Sequence, residues 1–379
     1  MSGPAQRGAR KRRVAVLFGG RSAEHEISCI SARYVIDALD PDRNEVVAIG
    51  ITKEGRWHRL EGPVALPAES GRMPEITGDP GTRVDLDAEG GAGELVAADG
   101  SRAPIDVVFP VLHGPQGEDG AIQGMLELAG IPYVGAGVLG SAVGMDKAMQ
   151  KVLFAAVGLP VLPWDGVREP EWTEDPEGAG ARAVALGYPV FVKPATLGSS
   201  VGITKVHEPR ELGDAMEEAF RYARKAVVER GIDGVREIEV AVLGNDDPVA
   251  SVCGEVTPRG HEFYDYAAKY LDDAGADLTI PASIPGDASE RLQRMAATAF
   301  RAVECWGMAR VDFFLGADGD VWINEINTIP GFTSISMYPK LWEASGLTYP
   351  DLIERLLDLA VERHQAEHGK ATRARELSS

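Results

Sequence analysis

The chain has 379 residues, a formal charge of −20, 44% hydrophobic residues and 25% charged residues. That length predicts two or three domains rather than a single core, and the acidic balance disfavours nucleic acid and anionic membrane surfaces as partners. No apolar run reaches membrane-spanning length, and the small, basic start from Met1 to Arg13 lacks the apolar segment of a secretory signal and reads as a disordered tail. Cys29, Cys253 and Cys305 lie far apart without metal-type spacing, which fits buried thiols in a reducing cytoplasm.

The first ordered pattern is the apolar run Val14 to Phe18, a buried parallel strand entering a tight turn at Gly19-Gly20. Ile27, Ile30, Tyr34 and Ala38 recur at helical spacing, and Val46 to Ile51 is a second buried strand. The opening resembles a dinucleotide fold, but Gly19-Gly20-Arg21-Ser22 lacks the G-x-G-x-x-G spacing, so a nucleotide is expected elsewhere. Glu24 stands near the helix start, where a carboxylate either complements the helix dipole or faces a ligand. Residues 53 to 103 read as an irregular insertion with one hairpin around Trp57. Ile105 to Leu112 is a third buried strand, and it runs into His113-Gly114-Pro115-Gln116-Gly117-Glu118-Asp119-Gly120 and an amphipathic helix through Ile122, Met125, Leu126 and Ala129. His113, at the carboxyl end of a strand, is either a ligand contact or a structural histidine.

Tyr133 to Val143 is Gly-rich and small, the pattern of a domain junction, and a helix from about Met145 to Ala156 carries Lys147. Pro189 to Pro194 is a strand ending in Lys193. The Gly/Ser-rich loop with Ser199 and Ser200 follows, and then a returning strand Thr204-Lys205-Val206. A Walker loop is absent, but backbone N–H groups and hydroxyls in such a loop can form a phosphate nest. Residues 208 to 225 read as a helix, Val227 to Arg230 and Ile238 to Leu243 as strands, and Phe263 to Tyr270 as an aromatic loop bearing Lys269. Ala288 to Glu304 is an amphipathic helix, and another near Tyr349 to Glu367 closes the fold.

The chain is organised around Val321 to Gly331. Glu325 and Asn327 are two apart on an extended backbone and point to the same side. A hairpin through Gly316-Ala317-Asp318-Gly319-Asp320 brings Asp312 beside them. Two carboxylates and an amide suit Mg²⁺, which takes few protein ligands plus phosphate oxygens; an ordinary hairpin with solvated polar residues is the alternative. With Lys147, Lys193, Lys269 and the Gly/Ser loop added, and no Cys/His or Ser/His/Asp nucleophile arrangement in view, the inventory points to phosphoryl transfer to a bound acceptor.

Over about residues 13 to 365 the chain resembles the D-alanine–D-alanine ligases of the ATP-grasp superfamily. The resemblance rests on Leu17 through Ser28, His113-Gly114 with Gly117 through Gly120, and Met145-Asp146-Lys147. It continues through Val192-Lys193-Pro194, Gly198 through Gly202, Phe263 through Tyr266 with Lys269-Tyr270, Arg310-Val311-Asp312, and Asn324 through Thr328 with Pro330-Gly331. It implies a mixed α/β and α+β fold: an N-terminal Rossmann-like parallel-sheet domain over residues 14–135, a central ATP-grasp subdomain over 136–231, a C-terminal ATP-grasp subdomain with the metal site over 232–366, and polar tails. By the same resemblance, Asp312, Glu325 and Asn327 would hold two Mg²⁺ ions, with Mn²⁺ as a substitute. Lys147, Lys193 and Lys269 would contact ATP phosphates beside Ser200, and Glu229 and Glu237 would meet adenine and ribose. Glu24 would bind the first D-alanine's ammonium, with His113 among the substrate contacts, while Arg310 and the Gly331 amide would stabilise an oxyanion. Ser199, Tyr270 and Ser336 would orient the second D-alanine, and the loop at 263–275 would be a lid. The implied product is D-alanyl-D-alanine for peptidoglycan precursors, made by a cytoplasmic homodimer. A D-alanine–D-lactate or D-alanine–D-serine ligase is the nearest rival, and a non-catalytic nucleotide-binding regulator is the rival from another class.

Overall fold

The computed structural model describes residues 10–61, 73–78, 80–87, 93–259 and 276–369. The strands are β1 (Arg12–Gly19), β2 (Asn44–Ile51), β3 (Trp57–Arg59), β4 (Thr82–Asp87), β5 (Glu94–Ala97), β6 (Arg102–Pro104), β7 (Val107–Pro110), β8 (Trp164–Arg168), β9 (Val190–Pro194), β10 (Thr204–Val206), β11 (Lys225–Arg230), β12 (Arg236–Gly244), β13 (Val249–Pro258), β14 (Ala276–Thr279), β15 (Gly307–Leu315) and β16 (Val321–Asn327). The helices are α1 (His25–Ala38), α2 (Ala121–Leu128), α3 (Val138–Met145), α4 (Lys147–Ala156), α5 (Glu169–Glu174), α6 (Pro176–Ala185), α7 (Leu212–Phe220), α8 (Gly286–Ala302), α9 (Met337–Ala344) and α10 (Tyr349–His368). Among the described residues no helix is long and apolar enough to cross a membrane.

Two compact units emerge. The first, residues 1–112, 124–134 and 349–379, holds a seven-stranded sheet in the order β6-β5-β4-β3-β2-β1-β7. β1 lies between β2 and the edge strand β7, parallel to both, and Val14 to Phe18 are at most 1% exposed, so the continuous apolar run is a strand buried on both faces. β1 begins at Arg12, two residues inside the expected tail, because Arg12 pairs with Asn44 in the ladder and its guanidinium reaches Glu354 at 2.7 Å and Asp358 at 2.9 Å on α10. The strand stops at Gly19 (φ +87°), where a Cβ would lie 2.4 Å from the Ile51 carbonyl oxygen, a contact only glycine escapes.

Within residues 53 to 103 the described parts hold the expected hairpin around Trp57, formed by β2 and β3, and depart from an irregular insertion beyond it: β4 to β6 extend the sheet as an antiparallel meander. Their short, Gly- and Pro-broken strands carry little periodicity of their own and are held by the ladder they join. The helix α10 belongs to this unit rather than to the C-terminal part of the chain, packing on α1 and β7.

The second unit, residues 113–123 and 135–348, holds two antiparallel sheets, β10-β9-β11-β8 and β14-β13-β12-β15-β16. Val190, Val192, Val206, Val228 and α6 and α7 residues such as Ala183 and Met216 fill one core. The larger core joins Ile238, Val240, Val311, Phe313, Ile323 and Ile326 to Leu292, Ala299 and Phe300 of α8 and Phe154 of α4. The expected junction at Tyr133 to Val143 is partly helical: α3 covers Val138–Met145, and Asp146 then caps α4 by accepting from the Ala148 and Met149 amides at 3.0 and 3.1 Å. The expected helix over 208–225 is shorter, α7 ending at Phe220 so that Lys225 can open β11. All three cysteines are free and buried.

Candidate active site

The β15–β16 hairpin sets Asp312 opposite Glu325 and Arg310 opposite Asn327, as the spacing predicts. A bulge between Asp312 and Phe313 lies against Asn324, shifting the register by one residue. Val321 and Ile323 face the core, and so does Ile326 rather than Glu325. The bulge therefore flips the alternation and turns Glu325 and Asn327 to the polar face. One strand further in, Glu239 stands opposite Asp312, so Glu239, Asp312 and Glu325 form a row across β12, β15 and β16.

Arg310 sits within that row. Its guanidinium donates to both Asp312 oxygens at 2.8 and 2.7 Å and lies 3.0 Å from Glu239. Burial works against the guanidinium's charge, but Asp312 and Glu239 outweigh it, so Arg310 stays protonated. Lys147, the first residue of α4, reaches Glu325 at 2.8 Å and donates to the Leu197 carbonyl at 3.1 Å. Its amide donates to the Ala195 carbonyl at 2.8 Å, which ties α4 to the Gly/Ser loop. In that loop Ser199 (φ +52°) and Ser200 (φ +57°) both adopt the left-handed region, an uncommon conformation for non-glycine residues that recurs at ligand clamps.

Lys193, at the end of β9, donates to Glu229 at 2.7 Å and to the Asn324 amide oxygen at 3.4 Å, so the two sheets of this unit meet here. Glu229 is 1% exposed, and its other oxygen is taken by Lys151, a fully buried lysine of α4 that sequence reasoning passed over. Burial raises the Glu229 carboxyl, but the two ammonium groups outweigh it and hold it below the ordinary range. Lys151 is shifted down by burial, which together with the like charge of Lys193 outweighs the opposing pull of Glu229 and, more weakly, Glu325. The signal for Lys151 was its position: Lys147, Gln150, Lys151 and Phe154 lie on one helical face, and that face is buried apart from the Lys147 end. Glu239 was legible only as a polar residue inside an apolar strand.

Asn327 Oδ1 accepts from the Ile329 amide at 3.1 Å, and Ser336 Oγ accepts from the Thr333 amide at 3.1 Å. A Cβ on Gly331 would stand 2.9 Å from Ser336 Oγ, so a larger residue here would press on the hydroxyl. Glu237 lies on β12 opposite Phe314. His113 is buried at the head of the loop whose Gly114 amide donates to Glu118 at 2.7 Å. Lys269, Tyr270 and the whole expected lid lie outside the described residues. In the other unit, Glu24 is the buried N-cap of α1 and makes no side-chain cap hydrogen bond. The turn that carries it is pinned by His25, whose Nε2 accepts from the Ile76 amide at 3.0 Å, leaving Nδ1–H to donate to the Gly20 carbonyl at 2.8 Å.

A polar face with an acidic row, two lysines reaching it and a strained hydroxyl loop is suited to a polyphosphate and its counter-cation. Family models settle the lineage. One described as D-ala D-ala ligase N-terminus matches residues 13–136, and one described as D-ala D-ala ligase C-terminus matches residues 153–358. The chain belongs to the D-alanine–D-alanine ligase family. It is 50% identical over 369 residues to a D-alanine–D-alanine ligase of Acetivibrio thermocellus, covering 93% of this chain and 97% of that one. The solved D-alanine-D-alanine ligase of Coxiella burnetii superposes with a TM-score of 0.83 at 39% identity, over 95% of this chain and 97% of that one. The VanG D-Ala:D-Ser ligase of Enterococcus faecalis follows at 0.80 and 35%, over 93% and 100%. Membership in the D-alanine–D-alanine ligase family makes this chain an ATP-dependent ligase with the ATP-grasp architecture, acting on small molecules.

Proposed function

We propose that this chain joins two D-alanines into D-alanyl-D-alanine at the expense of ATP, supplying peptidoglycan precursor synthesis. The observation that carries the reading is the registered hairpin: Asp312 faces Glu325 with Arg310 between carboxylates and Lys147 on Glu325. Asp312, Glu325 and Asn327 are the residues that would hold Mg²⁺ or Mn²⁺. Their fit is chemical: two carboxylates and an amide on neighbouring strands of one hairpin offer oxygen, the donor type that Mg²⁺ takes together with phosphate oxygens. When bound, the cation neutralises β,γ-phosphate charge.

The chain's own residues do the rest. Lys147, Lys193 and Lys269 hold phosphates as point charges, with the Ser200 region closing over them. Glu237 serves the ribose. Glu229 serves the adenine end, and its bonds to Lys151 and Lys193 also hold Lys193 in place for the phosphates. Glu24 holds the first D-alanine by its ammonium, His113 is a further substrate contact, and that substrate's carboxylate attacks the γ-phosphate to give an acyl phosphate and ADP. Ser199, Tyr270 and Ser336 orient the second D-alanine. Its amine attacks the acyl carbon, Arg310 and the Gly331 amide stabilise the oxyanion, and phosphate leaves. The 263–275 segment excludes water from the acyl phosphate as a lid. Three subdomains, with a boundary near residue 231 between the two ATP-grasp sheets, a homodimeric assembly and a cytoplasmic location complete the proposal.

The test is phosphate release from ATP with D-alanine, L-alanine, or D-alanine mixed with D-serine or D-lactate, with products identified by mass. D-alanyl-D-alanine as the main product is expected. A mixed dipeptide or an ester as the main product overturns the specificity, and ATP turnover unaffected by any amino acid overturns the ligase reading.

A further inference from the structure

Gln150 is a polar residue of α4 that is only 1% exposed, and its side-chain amide is engaged at both ends. Its amide oxygen accepts from the Ile326 N–H at 3.0 Å, and its amide nitrogen donates to the Ile326 carbonyl at 3.2 Å and to the Gly144 carbonyl at the end of α3. Among the described residues β16 is the edge of its sheet, held on its outer side at Ile323, whose amide donates to the Pro160 carbonyl at 2.9 Å, and at Ile326. Gln150 therefore supplies one residue's worth of missing ladder, bonding both backbone groups that Ile326 turns away from β15. The place where it does so is informative. Ile326 stands between Glu325 and Asn327, immediately after the bulge at Asn324 that loosens the pairing with β15. Without a constraint on the outer edge, the bulged segment can rotate, and a rotation there swings Glu325 and Asn327 together.

We propose that Gln150 is a positioning residue for the cation site: it clamps Ile326 so that Glu325 and Asn327 present their oxygens to the same point. The inference rests on the reading of Glu325 and Asn327 as cation ligands. Groups of this kind, acting on ligands from behind, typically change metal affinity by about tenfold to a hundredfold when removed. A merely structural role predicts something different, a loss of stability with the cation and the bare nucleotide affected alike.

The experiment uses the full chain as Gln150→Met, which keeps the length and helix propensity of the side chain but none of its hydrogen bonds, and as Gln150→Glu, which keeps only the acceptor. Mn²⁺ binding in the presence of a non-hydrolysable ATP analogue is followed by electron paramagnetic resonance, and binding of the analogue without divalent cation by calorimetry. Glu325→Gln serves as the reference. The expected result is Mn²⁺ affinity about tenfold or more weaker in Gln150→Met, with cation-free analogue binding unchanged. Should Gln150→Met fail to fold, Gln150→Glu carries the same expectation. Native Mn²⁺ affinity in a folded variant, while Glu325→Gln loses it, overturns the clamp and leaves the ligand assignment standing. Equal losses of Mn²⁺ and cation-free analogue binding overturn it as well. Native Mn²⁺ affinity in Glu325→Gln itself overturns the ligand assignment and, with it, the inference.

Discussion

Lys151→Met probes the most deeply buried charge of the site. Lys151 and Glu229 are each 1% exposed, and Glu229 divides its two oxygens between Lys151 and Lys193. Removing one partner of a buried pair costs about 3–5 kcal/mol, because a desolvated charge is left behind. Lys193 remains on Glu229 at 2.7 Å, so the lower end applies, about 3 kcal/mol. A domain of about 150–250 residues loses about 2–4 °C per kcal/mol, so the melting midpoint should fall by about 6–12 °C. Glu229→Gln alone strands two buried ammonium groups and should cost more than Lys151→Met. With Lys151 already replaced the same change leaves only Lys193 unpaired, so it should cost less in that background than in the native chain. The assay is thermal unfolding by circular dichroism at neutral pH without nucleotide, on both single variants, the double variant and the native chain, closed as a cycle. A Lys151→Met midpoint within about 2 °C of native, or a Glu229→Gln change that costs as much in the Lys151→Met background as in the native chain, would refute the account of Lys151 as the counter-ion of Glu229.

Three further outcomes are expected, the second of them on the lid role proposed for Tyr270. Glu325→Gln and Asp312→Asn keep side-chain volume and remove charge from the row opposite Lys147 and Arg310, so both should abolish phosphate release with circular dichroism unchanged; near-native turnover in either would exclude that residue from the site. Tyr270→Ala should release more than one phosphate per dipeptide by exposing the acyl phosphate to water, and a ratio that stays at one would show that the ring does not guard the intermediate. The acid limb of stability should respond to Arg236, which donates to both Glu255 oxygens at 2.7 and 2.6 Å and, through those bonds first, holds the carboxyl below its ordinary range. A carboxyl with a depressed folded-state pKa stabilises fully above its unfolded value and loses that contribution as pH falls through the folded one. Arg236→Met should therefore move acid unfolding to higher pH, and an unmoved acid midpoint would contradict the pairing.

Much of the chemistry was legible because it is local. Glu325 and Asn327 share a face through a two-residue spacing, and the turn at residues 316–320 returns the chain so that Asp312 meets Glu325. The unbroken apolar run of β1 reports a strand covered on both faces, since an alternating pattern would have meant one wet face. Even the bulge left a trace: the core residues Val321, Ile323 and Ile326 are spaced by two and then by three, a change of phase that a regular strand does not permit.

What only the tertiary structure decided is who meets whom. Residues 53 to 103 have too little pattern to declare strands, and they become strands because neighbouring backbone groups in the first unit's sheet require partners. α10 follows the second unit in sequence but joins the first, through Arg12 and Glu354, residues 342 positions apart. Lys151 and Gln150 were visible as polar residues on an apolar helical face, yet periodicity states only that a side chain points inward. Whether it meets Glu229 across 78 positions or the Ile326 backbone across 176 depends on how distant elements dock. Local spacing determines the face a residue presents, because the backbone repeat is fixed within an element. The partner waiting there is set by packing between elements, and that information is distributed over the whole chain.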